Sequence, residues 1–283
     1  MKLELKGITK KYLGSDREAL SGVDAYFETG HIYGLLGRNG AGKSTLLNII
    51  TDKFGPSDGK ILLDGVELKK GAGLENFYMM SEGNYFYSDR SIRKLYKDLS
   101  YVYPSFDMET ALRLSDEFGL NIKKGWNRLS TGYRTIFKMI PALCVHVPFI
   151  IFDEPILGLD AVHRDIFYRE VIKLFSENPD TCIMISTHLI EEVSHLLSDV
   201  VILSDGKVLM QAATDDLSQN AVCVTGTREE VQKACFSMQK IAYSEMGQLA
   251  QFYGFGKPME ADVRVESIDL QRLFILLTNG GRV

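Results

Sequence analysis

A glycine-rich segment at residues 37–44, with the sequence GRNGAGKS, fits the phosphate-binding pattern G-x-x-x-x-G-K-S. Its glycines let the backbone curl, so that successive N–H groups point inward at phosphate oxygens. Lys43 would reach the outer phosphates and Ser44 would bind Mg²⁺. An apolar run precedes the segment and helical spacing follows it, as such a loop requires, so a chance glycine-rich turn is the weaker interpretation.

A second candidate site lies at residues 149–154, where the sequence FIIFDE places two carboxylates directly after four apolar residues. The apolar residues predict a buried strand, and open α/β sheets bind ligands at the carboxyl ends of such strands. We expect Asp153 to hold Mg²⁺, directly or through water, and Glu154 to be the general base that activates a water molecule. A solvated acidic turn is the alternative.

The elements that must position these residues alternate between strands and helices, which predicts an α/β fold with a mostly parallel sheet. Short apolar runs at residues 31–36, 149–152 and 182–186 predict buried strands. Between about residues 84 and 142, helical spacing replaces the strand pattern and predicts a helical insertion. The opening sequence, MKLELKGITK, predicts an edge strand.

A new set of strand and helix patterns begins after about residue 217. Residues 222–225 predict a strand, and Thr227 with Glu230 fits a capping box at the start of a helix. Ser267 is the predicted N-cap of a last helix. This region is too short to hold a large core of its own, so we expect it to pack on the main domain.

Length and composition argue against several classes of protein. With 283 residues, 45% hydrophobic and 24% charged, the chain has the composition of an ordinary globular protein rather than a disordered one. A net charge of −5 argues against general nucleic-acid binding, so no nucleic-acid partner is expected. The four cysteines form no C-x-x-C pair and no zinc-like spacing, and we expect buried, reduced thiols. We find no signal peptide or membrane-spanning stretch.

Three further segments make the chain resemble the ATP-binding-cassette (ABC) superfamily. Residues 129–133, LSTGY, follow the predicted insertion and are similar to the family's signature, LSGGQ. Residues 157–160, LGLD, stand where the family has its D-loop, and residues 186–188, STH, resemble the segment of its switch histidine. The resemblance covers about residues 1–215, and the order of the motifs is highly specific.

This resemblance implies a P-loop NTPase fold of ABC type. Such a fold has a mostly parallel sheet core, an antiparallel β subdomain, a helical insertion and, in this chain, a small C-terminal α/β extension. We therefore expect an ATPase domain at residues 1–216, with its insertion at about residues 84–142, and an accessory region at residues 217–283.

The resemblance also implies roles for single residues. Tyr12 would stack on adenine, with packing under a loop as its alternative, and His188 would contact the γ-phosphate. The expected catalytic residues are Lys43, Glu154 and His188, and the expected Mg²⁺ ligands are Ser44, Ser81 and Asp153. The expected ATP-binding residues are Tyr12, Gly37, Asn39, Gly40, Ala41, Gly42, Lys43, Ser44, Thr45, Ser130, Gly132 and Asp160. The histidines without such context, expected to be structural, are His31, His146, His163 and His195.

The sequence departs from the family pattern at two places. Ser81 stands where the family usually has a glutamine that joins the Mg²⁺ site to the helical insertion, and Glu82 is a candidate for part of that coupling. In the signature, Thr131 replaces the first glycine and Tyr133 replaces the glutamine. The two signature residues that face nucleotide in the family remain, so we expect activity to survive.

The function implied by the resemblance is that of an ATP-hydrolysing subunit of an ABC transporter, with ATP and Mg²⁺ as its cofactors. Two cassettes, as a homodimer or a heterodimer, would close on ATP and reopen after hydrolysis. A separate polytopic membrane subunit would receive this motion near Tyr85, Phe86 and Tyr87, for which core packing is an equal alternative. The expected location is cytoplasmic, on the inner face of the cell membrane.

The variant motifs, the single cassette and the C-terminal extension most resemble bacterial ABC-2-type exporter ATPases, a group that includes exporters of antimicrobial and amphipathic peptides. Other classes fit less well. A ribosome-acting cassette ATPase normally carries two cassettes, whereas this sequence has one P-loop. A DNA-repair cassette ATPase has a long heptad insertion and a GTPase has N-K-x-D, and neither is found. Glu154 argues against a catalytically dead nucleotide sensor.

Overall fold

The computed structural model describes residues 1–69, 71, 74–81, 83 and 89–280. Glu82 and the aromatic residues Tyr85, Phe86 and Tyr87 lie outside the described residues. The strands are β1 (Lys2–Lys11), β2 (Glu18–Glu28), β3 (Ile32–Leu36), β4 (Asp58–Leu63), β5 (Val66–Glu67), β6 (Phe77–Met80), β7 (Phe149–Asp153), β8 (Cys182–Thr187), β9 (Asp199–Ser204), β10 (Lys207–Ala213), β11 (Ala221–Thr227), β12 (Gln239–Met246), β13 (Leu249–Phe255) and β14 (Arg264–Ser267). The helices are α1 (Lys43–Ile50), α2 (Ile92–Val102), α3 (Met108–Glu117), α4 (Thr131–Cys144), α5 (Ala161–Glu177), α6 (Ile190–Val193), α7 (Thr214–Asn220), α8 (Arg228–Ala234) and α9 (Leu270–Thr278).

The central sheet has six strands in the order β10-β9-β3-β8-β7-β6. All pairs are parallel except β9 with β10, which form a hairpin. Strands β3, β7 and β8 are buried at every residue because both faces of the sheet are covered, which explains their continuous apolar sequences. The predicted parallel α/β fold is confirmed.

Alternate residues of each central strand enter different cores, as the two-residue period of a strand requires. In β7, Phe149 and Ile151 pack with α1 and the antiparallel subdomain, whereas Ile150 and Phe152 pack with the helical side. Each core therefore packs against one face of the central sheet. Packing on both faces fixes the position of the carboxyl ends of the strands.

The antiparallel subdomain is a four-stranded sheet in the order β2-β1-β4-β5. The prediction of an edge strand at the start of the chain was wrong, since β1 pairs with β2 on one side and β4 on the other. Leu3, Leu5 and Ile8 point into the core, and a register shift between Leu5 and Ile8 brings Ile8 to the same face. The apolar residues of one strand report which face is buried, but they carry no information on whether the strand has one neighbour or two.

The described part of the insertion consists of α2, α3 and α4, which pack on one another and on the sheet. Trp126, Tyr96 and Phe137 are fully or almost fully buried at its centre, with Tyr96 and Phe137 stacked at a centroid distance of 5.6 Å. None of the helices in the described residues combines the length and apolarity needed to cross a bilayer.

The C-terminal region forms a third, antiparallel sheet in the order β12-β13-β11-β14. One face packs on α8 through Val224, Val231 and Phe252, and the other face joins the main core together with α9. The expected packing on the main domain is therefore observed. Thr227 caps α8, because its hydroxyl accepts a hydrogen bond from Glu230 N at 3.3 Å.

The last helix is capped by a different residue from the one predicted. Asp269 is the N-cap of α9, and its carboxylate accepts from Arg272 N at 2.7 Å, whereas Ser267 ends β14. Both residues are good caps by type. Pairing of Ser267 with Val222 of β11 keeps it in the sheet and delays the helix by two residues.

Candidate functional site

The glycine-rich loop connects the end of β3 to α1, in the centre of the sheet. Gly42 is the N-cap of α1 with φ 107°, and a Cβ there would lie 2.7 Å from the carbonyl oxygen of Ala19. A Cβ on Gly37 would lie 2.7 Å from the carbonyl oxygen of Leu203. Because backbone crowds both positions, the loop can hold this path only with glycine at each of them.

Lys43 is the first residue of α1 and is only 6% exposed. Its ammonium donates to the carbonyl oxygen of Gly37 at 2.7 Å and lies 3.5 Å from Glu154 Oε1. The loop thus turns a buried positive charge toward the carboxylate that follows β7. Such a charge, beside the start of a helix, favours anions such as phosphate.

Glu154 directly follows β7 and has a positive φ of 51°, a conformation that is uncommon for a residue with a side chain. Its N–H donates to Ser186 O at 2.8 Å, which anchors it to the end of β8. Its Oε2 accepts from Thr187 Oγ1 at 3.0 Å, and its Oε1 lies 2.9 Å from His188 Nδ1. The side chain is buried, and its carboxylate contacts the last residue of β8, the histidine that follows it and the first residue of α1.

Thr187 was not among the site residues expected from the sequence, although the STH segment contains it. It ends β8 and is completely buried. The available signal was a hydroxyl directly before the candidate switch histidine, at the end of a predicted buried strand. The sequence alone does not give the register between β7 and β8, which brings Thr187 to the carboxylate of Glu154.

Asp153 is the last residue of β7 and is 3% exposed. It pairs with Ser186 of β8, whose hydroxyl is buried without a hydrogen-bond partner in the described chain. Ser81 follows β6, whose last residue pairs with the residue before Asp153. One carboxylate and several hydroxyls, including that of Ser44 in the first turn of α1, are hard oxygen donors of the kind that Mg²⁺ prefers. This donor set fits the expected ion.

A cleft of about 340 Å³ joins these groups. Besides Ala19 and Leu157, it is lined by Arg38, Asn39, Gly40, Gly42, Lys43, Ser44, Thr45, Glu154 and His188. The structure therefore brings together most of the expected loop residues with the expected base and switch histidine. Ala41 instead packs its side chain into the core, and its N–H donates to Arg38 O at 3.0 Å.

Tyr12 stands beside this cleft without lining it. Its hydroxyl forms a 3.1 Å hydrogen bond with Thr45 Oγ1, and its ring meets Phe54 edge-on at a centroid distance of 5.9 Å. The ring is 42% exposed. An exposed aromatic ring held at the start of α1 is available for stacking by a base bound next to the loop.

The signature residues and residues 158–160 of the D-loop form a second group, outside the lining of the cleft. Ser130 is the N-cap of α4 and accepts from Tyr133 N at 3.4 Å. A Cβ on Gly132 would lie 3.4 Å from the carbonyl oxygen of Gly158, so the signature packs against the D-loop. Asp160 caps α5, with its carboxylate accepting from the backbone of the next turn at 2.9 Å.

Two of the histidines expected to be structural pair with carboxylates. His163 Nδ1 lies 3.0 Å from Asp160 Oδ1, and the His163 ring stacks on Phe118 at 5.9 Å. The backbone N–H of His163 lowers the pKa of the Asp160 carboxyl because it donates a hydrogen bond to the ionised form. His31 Nδ1 pairs with Asp199 at 2.6 Å, at the opposite end of β3 from the loop.

Relatives of known family agree with this arrangement. The family described as ABC transporter matches residues 20–157. The ribose import ATP-binding protein RbsA of Lacticaseibacillus paracasei is 30% identical over 231 residues, which cover 77% of this chain and 45% of that protein. The solved structure titled as a dimeric, post-hydrolysis state of the ATP-binding cassette MJ0796 bound to ADP and Pi has a TM-score of 0.65. That likeness, at 22% identity over 75% of this chain and 98% of that chain, shows the fold.

The ABC transporter ATP-binding protein YtrB of Bacillus subtilis (strain 168) is 31% identical over 221 residues, which cover 78% of this chain. The ordered motifs and the residues that line the cleft all lie within residues 1–215, the part of the chain that the resemblance covers. Since the match extends over 75% of YtrB, this chain belongs to the ATP-binding proteins of ABC transporters, which are P-loop ATPases.

Proposed function

We propose that ATP binds with its phosphates in this cleft and that Glu154 is the general base for its hydrolysis. The observation that carries the proposal is the convergence of Lys43, Thr187 and His188 on one buried carboxylate, within 3.5 Å of its oxygens. The loop N–H groups and the Lys43 ammonium supply positive charge for phosphate, and Glu154 supplies a proton acceptor beside it.

In the proposed reaction, a water oxygen forms a bond to the γ-phosphorus while the bond from that phosphorus to the bridging oxygen of ADP breaks. Glu154 accepts the proton that the water loses. Lys43 binds the outer phosphates and stabilises the charge that develops on their oxygens. His188 contacts the γ-phosphate and holds Glu154 Oε1 through the observed hydrogen bond.

We assign Mg²⁺ binding to Ser44, Asp153 and Ser81. Asp153 and Ser81 lie at the ends of adjacent strands, and Ser44 lines the cleft. When bound, the ion would neutralise negative charge on the outer phosphates. Ser81 has a shorter reach than the glutamine usual in the family, so we assign it the weakest contribution of the three.

A second cassette completes the proposed site. Ser130, Gly132 and Asp160 do not line the cleft of their own chain, so a head-to-tail partner is needed to bring such residues to the bound ATP. The dimer of MJ0796 supports this arrangement by analogy. This chain contains both groups of residues, so a homodimer would have two complete sites, and a heterodimer is the alternative.

We further propose that the cassette powers a separate polytopic membrane subunit, at the inner face of the cell membrane, as an exporter ATPase with peptides as candidate substrates. Family membership supports the transport role. The single cassette and the C-terminal region support the exporter group, whereas the name of RbsA assigns import to that relative.

We place the ATPase domain at residues 1–216, with its insertion at about 84–142, and the accessory region at 217–283.

Substitution of the proposed base tests the chemistry. Glu154→Gln keeps the size of the side chain and removes its basicity, so we expect ATP turnover to fall by at least about 100-fold while ATP binding remains. Glu177→Gln, at an exposed carboxylate at the end of α5, is the matched control and should retain full turnover. A Glu154→Gln protein as active as the parent would show that another group is the base.

Purification from native cells tests the transport role. The tagged chain, extracted in gentle detergent, should bring a polytopic membrane protein in stoichiometric amount, identified by mass spectrometry. Recovery with ribosomes or nucleic acid, and without a membrane protein, would overturn the transport proposal and leave the ATP site standing. With the partner in sealed vesicles, ATP-driven movement of candidate peptides would then test export directly.

A further inference from the structure

The end of the C-terminal helix touches the glycine-rich loop. Asn279 is the C-cap of α9, and its Oδ1 accepts a hydrogen bond of 2.5 Å from Arg38 Nη2, across a sequence separation of 241 residues. Arg38 is the second residue of the loop and lines the cleft. A residue of the accessory region is therefore one hydrogen bond away from the proposed nucleotide site.

Packing holds α9 in this position independently of that hydrogen bond. Leu273 and Leu276 of α9 are buried in the same core cluster as Ile190 and Val193 of α6. Helix α6 begins two residues after His188. The accessory region therefore contacts the glycine-rich loop through Asn279, and it contacts the helix that follows His188 through α9. Because α9 is packed in this way, its C-terminal end is a fixed anchor for the Arg38 side chain.

We infer that Asn279 is a positioning residue that holds Arg38, and through it the glycine-rich loop, in the geometry that binds ATP. The inference rests on the proposed nucleotide site. The Arg38 carbonyl accepts from Ala41 N at 3.0 Å and lies 3.5 Å from the Lys43 ammonium, so its backbone is part of the loop's own bonding. Fixing both ends of one residue lowers the entropy that the loop loses when it orders around phosphates.

The effect is expected in affinity rather than in the chemical step. Asn279→Ala should raise the Kd for MgATP, and the KM for ATP, by about threefold, as expected for loss of one exposed hydrogen bond, with kcat unchanged. Asn279→Asp retains an acceptor for the guanidinium and should restore the parental values. Asn178→Ala is a matched control and should change neither value. Asn178 is the C-cap of α5 and lies shortly before the start of β8, at the opposite end of that strand from the cleft.

A double-mutant cycle shows whether the effect passes through Arg38. Asn279→Ala made in an Arg38→Ala background should cause no further loss of affinity, because the hydrogen bond is already absent. If the loss is the same in both backgrounds, the inference is wrong and Asn279 acts only by capping α9. A Kd for Asn279→Ala equal to that of the parent overturns it as well.

Amide exchange provides a second readout that does not depend on turnover. Coupling between two sites is reciprocal, so ATP binding should slow exchange in the last turn of α9, and Arg38→Ala should abolish that protection. Lys43→Ala separates the two proposals. If Lys43→Ala loses ATP binding while the Asn279 variants bind MgATP with the same Kd as the parent, the proposed nucleotide site stands and the inference about Asn279 fails. If Lys43→Ala binds ATP as the parent does, both fail.

Discussion

Thr187 Oγ1 donates a hydrogen bond to Glu154 Oε2 at 3.0 Å and accepts one from Leu189 N at 3.0 Å. One buried hydroxyl therefore joins the carboxylate after β7 to the segment after β8. Glu154 is also held by its backbone bond to Ser186, in a conformation with positive φ that isolated residues disfavour. The carboxylate is preorganised by the end of the neighbouring strand.

Removal of that hydroxyl should slow hydrolysis. Thr187→Val keeps the branched shape and loses the donor to Glu154, so we expect kcat to fall about tenfold with little change in KM. Thr187→Ser retains the hydroxyl and should retain most of the activity. Steady-state ATPase assays of both variants check this, and equal kcat values for them would mean that the hydrogen bond does not position the base.

Glycine at position 42 is required by space as well as by φ. Gly42→Ala would place a Cβ 2.7 Å from a backbone oxygen, and we expect a loss of about 3 kcal/mol in the free energy of unfolding together with loss of ATP binding. Gly247→Ala is the matched control, since Gly247 also has positive φ but has nothing within 4 Å of the added Cβ. It should lose only about 1 kcal/mol in urea denaturation. Similar losses in the two variants would argue against the steric explanation.

The central sheet and its loops were predictable because their signals are local. Residues 31–36, 149–152 and 182–186 are continuous apolar runs, and each forms a buried parallel strand as predicted. The glycine pattern before α1 and the carboxylates after β7 lie at the carboxyl edge of these strands. The cleft follows from that topology, because parallel strands bring their carboxyl ends to one edge.

The remaining features depend on contacts between distant residues. The position of β1 inside its sheet depends on pairing with β4, which a single strand's alternation does not encode. The hydrogen bond from Thr187 to Glu154 depends on the β7–β8 register, and that of Arg38 to Asn279 depends on how α9 packs. The cap at Asp269 rather than Ser267 was decided by strand pairing, since both residue types are suitable caps.

The helical insertion is tied to α5 by a two-pronged ion pair. Arg113 of α3 donates to both carboxylate oxygens of Glu170, at 3.2 and 2.7 Å, and the Glu170 side chain is only 8% exposed. Glu170→Gln removes the buried charged partner of the guanidinium and leaves it only the more exposed carboxylate of Glu117, at 3.1 Å, so we expect a loss of about 2 kcal/mol in stability. Glu245→Gln breaks an exposed pair with Arg228 and should cost less than about 1 kcal/mol. Equal losses of stability in the two variants would show that burial of Glu170 adds nothing to the strength of its ion pair.

The N-cap of α3 should make stability depend on pH. Hydrogen bonds from the hydroxyl and the backbone N–H of Thr110, at 2.6 and 3.0 Å, lower the pKa of the Asp107 carboxyl by stabilising its ionised form. A depressed pKa in the folded state means that this stabilisation is fully present above the unfolded pKa, about 3.9, and is lost as the pH falls through the folded value.

Asp107→Asn keeps an acceptor for the helix N-terminus but does not titrate. We therefore expect a small loss of stability at pH 7 and a shallower decline than the parent below about pH 4, measured by urea denaturation across pH. Thr110→Val removes the hydroxyl donor, which raises the folded pKa toward its unfolded value, and should flatten the same part of the profile. Parallel profiles for the parent and both variants would mean that the cap is not a source of acid sensitivity, because only a group whose pKa differs between the folded and unfolded states contributes to the slope.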